Sequence, residues 1–264
     1  MPEVTTGDAT LHVEIDGEGE PVTVFAHGLT NSCQELAMFT PFLVGTKVRF
    51  DFRGHGRSSV PEPGSYRFAD FARDLDAVAA TYGATRAIGT SLGAGAITHL
   101  IADTPDRFER LVFLLPAALD VPLTQHEDFD RTADLLETLP KDEAIEAILS
   151  EGGRAITYEQ APWLREFDML LWQDMNPVGV SRAIREVVRD VAVDDRERLR
   201  AVAAPTMLIC REGDSIHPAA LGRVLADILP HAELIVLPGE EELMAAIAQL
   251  VGRVKAFLEA DDAP

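Results

Sequence analysis

Lysine is scarce in this chain of 264 residues, with three in all, and cysteine and tryptophan are scarcer still, with two each. Gripping a phosphate backbone or an anionic bilayer takes clustered basic side chains. Here 44 acidic residues face 23 basic ones, a net charge of −21 at pH 7, so neither nucleic acid nor a membrane surface is an expected partner. Cys33 and Cys210 are too few for a disulfide framework and lack the CxxC spacing of metal or redox sites. No apolar run approaches the roughly 20 residues that span a bilayer; the greasiest, 111–123, is broken by Pro116, Asp120 and Pro122. The first residues, MPEVTTGD, carry neither a basic nor an apolar segment of a secretory signal, so a cytoplasmic location is expected. No P-loop, no GxGxxG after a strand and no HExxH or His pair at ligand spacing occurs, so neither a cofactor nor a metal is expected. What remains is ordinary globular composition, 47% hydrophobic and 25% charged.

Short apolar runs at 22–26, 48–52, 87–89 and 111–115 alternate with helical patterns at 32–43, 68–82 and 91–102. That rhythm is the signature of βαβ units and a parallel sheet. Ahead of them, 9–15 alternates apolar and polar residues and ends in the turn sequence DGEG, which predicts an antiparallel edge hairpin. Residues 120–200 then carry helical periodicity and no convincing strand. Trp163, Phe167, Leu170, Leu171 and Trp172 form an apolar face there, either packing onto the rest of the protein or lining a pocket. The alternation resumes with strands at 206–210 and 233–237 and helices at 217–229 and 242–258. The expected organisation is an α/β core, 1–119 and 201–264, interrupted by a helical insertion at 120–200.

Gly89-Thr90-Ser91-Leu92-Gly93 fits G-x-S-x-G at the end of an apolar run and the start of a helix. Small residues at both ends let the backbone turn sharply enough to present the Ser91 hydroxyl, and the helix amino terminus with the Leu92 amide can stabilise a developing oxyanion. A turn glycine followed by a plain serine cap is the simpler alternative. His27-Gly28-Leu29-Thr30 follows the first parallel strand, and a turn there supplies a second amide, from Leu29. Asp51-Phe52-Arg53-Gly54-His55-Gly56-Arg57-Ser58 follows the next.

In this order, the HG turn, the D-x-R-G-x-G-x-S segment and the G-x-S-x-G pentapeptide resemble the α/β-hydrolase fold family, over essentially the whole chain. The resemblance implies a mostly parallel eight-stranded sheet flanked by helices, with residues 120–200 as a cap. It also implies an acid on the loop after the seventh strand. Arg211-Glu212-Gly213-Asp214-Ser215-Ile216-His217-Pro218 lies there, making Asp214 the matching acid and Asp120, after the sixth strand, the weaker alternative.

The family further places a histidine after the eighth strand, where this chain reads Pro238-Gly239-Glu240-Glu241-Glu242, and no histidine follows His231. A serine hydroxyl is a feeble nucleophile until a base with pKa near 7 takes its proton. The candidates are His217, His126 hanging from the insertion, or a buried carboxylate from Glu240, Glu241 or Glu242. His12 and His231 belong elsewhere on the sheet, and His99 lies two helical turns beyond Ser91. His27, Gly28 and Thr90, with Trp163 and Trp172, are the expected pocket residues, while His27 and His55 also shape loops.

Two functions are then expected in competition. One is hydrolysis of a small apolar carboxylic ester, lactone or thioester, with Ser91 as nucleophile, Leu29 and Leu92 as oxyanion donors, Asp214 as orienting acid and a non-standard base. The other is a non-hydrolytic member of the same fold, a lyase, cyclisation enzyme or ligand-binding protein, in which the oxyanion site works without an acyl-enzyme.

Overall fold

The computed structural model describes residues 2–150, 162–238 and 240–260, with the backbone alone at 162–164 and 240–248. Eight strands form one sheet: β1 (Glu3–Thr6), β2 (Ala9–Asp16), β3 (Val22–Ala26), β4 (Thr46–Phe50), β5 (Arg86–Thr90), β6 (Arg110–Leu114), β7 (Thr206–Arg211) and β8 (Ala232–Leu237). Their spatial order is β1-β2-β4-β3-β5-β6-β7-β8. β1 pairs antiparallel with β2 and β2 with β4, and every other neighbour is parallel. All five residues of β3 and of β6 are buried, as strands covered by helices on both faces must be. Chain order reverses around β3, so the loops leaving β3 and β5 diverge over the carboxyl ends of the strands and open a crevice there.

Among the described residues eight α-helices accompany the sheet: α1 (Phe68–Tyr82), α2 (Leu92–Asp103), α3 (His126–Thr138), α4 (Lys141–Leu149), α5 (Pro162–Leu171), α6 (Pro177–Val187), α7 (Ala219–Ile228) and α8 (Glu240–Leu258). In α1, Phe68, Phe71, Ala72, Leu75, Val78 and Ala79 recur at helical spacing and are buried against one face of the sheet, and Gly83, with φ 69°, ends the helix. The other face packs Phe25, Ile88, Val112 and Ile209 against Leu250, Val254 and Leu258 of α8. Helices α3 to α6, between β6 and β7, hold a core of their own around Leu136, Leu149, Trp172 and Ile184. None of the described helices is long and apolar enough to cross a membrane.

Two sequence expectations change. The helix expected at 32–43 is instead a chain of tight turns followed by a 3-10 helix at Ala37–Phe42, with Pro41 inside it. Polar side chains explain this: the Asp51 carboxylate accepts the Cys33 N–H at 2.7 Å and Glu35 reaches back to Gly28, so the segment satisfies its donors outside an α-helix. The helix expected from 217 begins at Ala219, which leaves His217 on the loop after β7.

Candidate active site

Ser91 stands between β5 and α2 with φ 48° and ψ −103°, a left-handed conformation that a non-glycine residue adopts only under constraint. The flanking glycines allow it. A Cβ on Gly93 would lie 2.1 Å from the Ala26 carbonyl oxygen, and one on Gly89 would lie 2.6 Å from the Gly93 carbonyl carbon. The backbones of β3, β5 and α2 thus approach too closely for any side chain, and the Ser91 hydroxyl is lifted above the strand ends.

The loop after β7 meets it. His217 Nε2 lies 3.0 Å from Ser91 Oγ, and His217 Nδ1 lies 3.2 Å from one Asp214 carboxylate oxygen and 3.3 Å from the other. With Nδ1–H facing the carboxylate, Nε2 is left to accept the Ser91 proton. Asp214 is fixed by its own loop, since it accepts the backbone N–H groups of Ile216 at 3.0 Å and His217 at 2.8 Å and pairs with Arg211 at 2.5 Å. Burial alone would raise its pKa, but the His217 ring and amide and the Arg211 guanidinium outweigh burial and hold the carboxyl well below its usual range. The acid and the histidine therefore come from one loop, three residues apart.

A cavity of about 90 Å³ opens beside Ser91 and His217. Its wall is almost wholly apolar: Leu29 from the turn after β3, Phe68, Leu92, Ala117 and Ala118 after β6, and Leu123, Phe129, Val187 and Val188 from the insertion, with Ile216 from the β7 loop. Thr30 is the other polar member. A larger hollow of about 400 Å³ between Pro63 and α3 and α6 contains none of these groups, and its Arg185 is paired to Asp130, Asp134 and Glu137. From the insertion, Gln125 Nε2 donates to the Ser215 carbonyl at 2.6 Å and so ties α3 to the loop that carries Asp214 and His217.

The other expected site residues are distributed as follows. Leu29 and Leu92 border the cavity with Ser91; Leu92 opens α2, whose first N–H groups have no acceptor within the helix. His27 does not line the cavity: it is buried, receives the Phe52 N–H on Nε2 at 3.0 Å and donates from Nδ1 to the Gly28 carbonyl at 2.8 Å. Burial lowers its pKa to about 4, so it is a neutral spacer under the HG turn. Gly28 and Thr90 are likewise outside the lining, and Trp172 is in the core of the insertion, 2% exposed, because its large ring fills the space among α3, α4 and α6. The side chain of Trp163 lies outside the described residues. His126 does not reach Ser91, its Nε2 being buried without a hydrogen-bond partner, and Asp120 pairs with Arg196 at 2.5 Å. Glu240, Glu241 and Glu242 begin α8, and their side chains lie outside the described residues.

Phe68, Ile216 and the residue pairs 117–118 and 187–188 were not signalled by sequence, since only the tertiary fold brings apolar residues of widely separated segments to one wall. Nor was a cluster at the β2 edge, where ligand atoms of His12, Glu14 and Cys33 lie within 4.8 Å of one another beside Arg49, itself 2.9 Å from Glu14. The D-x-R-G-x-G-x-S segment, by contrast, is scaffold: Asp51 accepts the amides of Cys33 and Arg57, and Arg53 is buried in a pair with Asp74.

Residues 24–244 match a family model described as the alpha/beta hydrolase fold. A 2-(acetamidomethylene)succinate hydrolase from Mesorhizobium japonicum is 27% identical over 267 residues, covering 93% of this chain and 89% of its own. Among solved structures, a hydrolase from Pseudomonas aeruginosa PA01 superposes with a TM-score of 0.81 at 27% identity, covering 98% of both chains. The enol-lactonase from Burkholderia xenovorans gives 0.81 at 23% identity, covering 97% of this chain and 99% of that one, a likeness of fold.

Proposed function

The chain belongs to the alpha/beta hydrolase fold family, and from that premise we propose that it is a serine hydrolase cleaving small, largely apolar carboxylic esters, lactones or thioesters. The observation that carries this reading is the 3.0 Å contact of His217 Nε2 with Ser91 Oγ, backed by the Asp214 carboxylate behind Nδ1. In the proposed course, Ser91 gives its proton to His217 as Oγ attacks the acyl carbon. The amides of Leu29 and Leu92 stabilise the oxyanion, and Asp214 holds the imidazolium in place. Collapse breaks the bond to the alcohol or thiol, which leaves with the proton from His217. Water then gives a proton to His217 and attacks the acyl-serine, releasing the acid and restoring Ser91. The residues 120–200 act as a cap whose apolar side chains complete the acyl pocket, and a cytoplasmic location belongs to the same reading.

Apolar walls of Leu, Ala, Val and Phe around a small cavity favour a short uncharged acyl group over a polar one. The non-hydrolytic alternative rests on the lack of a histidine after the eighth strand, and the contact of His217 with Ser91 supports the hydrolytic reading over it. The test is turnover of a panel of short-chain aryl esters, lactones and thioesters by the wild-type protein and by Ser91→Ala. Wild-type turnover that falls by on the order of a thousandfold or more in Ser91→Ala is expected. A folded wild-type protein inert to the whole panel, or a Ser91→Ala variant of undiminished activity, overturns the reading.

A further inference from the structure

Glu35 is drawn to the HG turn by the bonds it makes there. One of its carboxylate oxygens accepts the Gly28 N–H at 2.6 Å and the other accepts Asn31 Nδ2 at 2.6 Å. The space beyond the Gly28 Cα is where the site and this carboxylate meet: a Cβ built there would lie 3.3 and 3.4 Å from the two Glu35 oxygens and 3.7 Å from Ser91 Cβ. The carboxylate is thus at most about 7 Å from Ser91 Cβ by simple addition of those distances. Gly28 leaves that space open, and any larger residue would fill it.

The charge there has no basic partner in its hydrogen bonds. Gly28 and Asn31 are neutral donors, and the charged group that faces Glu35 from the insertion is Asp168 on α5, which adds negative potential. Burial, with the charge of Asp168 added and the bonds from Gly28 and Asn31 opposing, pushes the carboxyl up to about 7. Asn31 Oδ1 is buried without a partner, so turning over that amide would let Asn31 accept from a protonated Glu35, or from a glutamine in its place. The pocket lining itself contains neither Lys nor Arg.

We propose that Glu35 sets the charge specificity of the Ser91 site, admitting neutral acyl substrates and those bearing an ammonium group near the acyl chain while rejecting those bearing a carboxylate. This inference rests on Ser91 being the reacting group. Two carboxylates about 6 Å apart at a protein–water boundary repel by enough to weaken binding on the order of tenfold. The net charge of −21 would disfavour anions as well, but only as a diffuse field that salt screens, whereas Glu35 acts locally.

The test compares para-nitrophenyl esters of hexanoic acid, of adipic acid esterified once, and of ε-aminocaproic acid at about pH 8, where the Glu35 carboxyl with its pKa of about 7 is mostly ionised. Wild-type protein is expected to use the adipate ester on the order of tenfold less efficiently than the hexanoate, chiefly through KM. Glu35→Gln, which keeps an acceptor for Gly28, closes most of that gap and lowers the preference for the aminocaproate. Asp168→Asn moves the ratio the same way by less, and remains informative should Glu35→Gln fold poorly. Glu18→Gln, an exposed substitution with the same change in net charge, leaves the ratio unchanged. Turnover of all three esters with a ratio that neither Glu35→Gln nor Asp168→Asn alters, or that Glu18→Gln alters equally, overturns this inference alone. Turnover of none by folded protein overturns this inference, and the serine-hydrolase reading falls with it when the ester, lactone and thioester panel is inert as well.

Discussion

Ser91, His217 and Asp214 make a chain of contacts, and the roles proposed for them are testable residue by residue. Asp214→Asn removes the charge that faces His217 Nδ1 and offers an amide in its place, so the ring loses its orienting acceptor; kcat is expected to fall on the order of a thousandfold, with the fold intact by circular dichroism. Because its neighbours depress the Asp214 pKa, its contribution to stability is present above the ordinary carboxylate range and is lost only as pH falls through the lowered value. Glu35 has the opposite sign. Its pKa rises from 4.5 to about 7, so its carboxyl favours the folded state below 4.5, and that contribution is lost as pH climbs toward 7. Glu35→Gln should therefore gain stability on wild type between about pH 5 and pH 8, by up to about 3 kcal/mol in urea melts at the two values. A constant difference between the two pH values would contradict the burial of that carboxyl. Ser91 and Asp214 are legible in the sequence because each sits in a local pattern that a turn requires. The partnership of His217 with Ser91 spans 126 residues, and no local pattern carries it. Glu35 gave no signal at all, since its burial depends on how the HG turn folds over it.

At the scale of elements, the elbow between β5 and α2 depends on backbones that touch. Gly93→Ala would drive a methyl into the Ala26 carbonyl at 2.1 Å, where β3 cannot yield without breaking its ladder to β5. A loss of more than about 3 kcal/mol, or failure to fold, is expected from denaturant melts. The loop after β7 is the second key element, since it carries both Asp214 and His217 and is held from outside by Gln125. Gln125→Ala leaves the Ser215 carbonyl to solvent and frees the loop from the insertion, so kcat should fall several-fold with little change in melting temperature. An unchanged kcat would show that the tie does not position His217. Strands were legible here because apolar runs bounded by turns have few other fates. The segment 32–43 was not, because its helical pattern competes with bonds to Asp51 and Gly28 that exist only after folding.

Over the whole molecule, one sheet brings together groups from the ends of β3, β5 and β7, and the D-x-R-G-x-G-x-S segment locks that frame. Arg53 and Asp74, both fully buried, pair at 2.7 Å, and loss of the Asp74 charge leaves Arg53 with the half-exposed Asp8 at 3.0 Å and Asp70 at 3.8 Å. Asp74→Asn is expected to cost about 3–5 kcal/mol in denaturant melts. The alternation of strands and helices made the layered architecture readable from sequence, whereas the pocket wall was not, because it is assembled from segments as far apart as Leu29 and Ile216. The most direct test of the account is covalent labelling of the intact protein with a fluorophosphonate, followed by peptide mass spectrometry. The label should fall on Ser91, be absent in Ser91→Ala, form on the order of a hundredfold or more slowly in His217→Ala, and form at the wild-type rate when Glu240, Glu241 and Glu242 are all changed to Gln. A folded protein that takes no label at Ser91, or a His217→Ala variant labelled as fast as wild type, would contradict it.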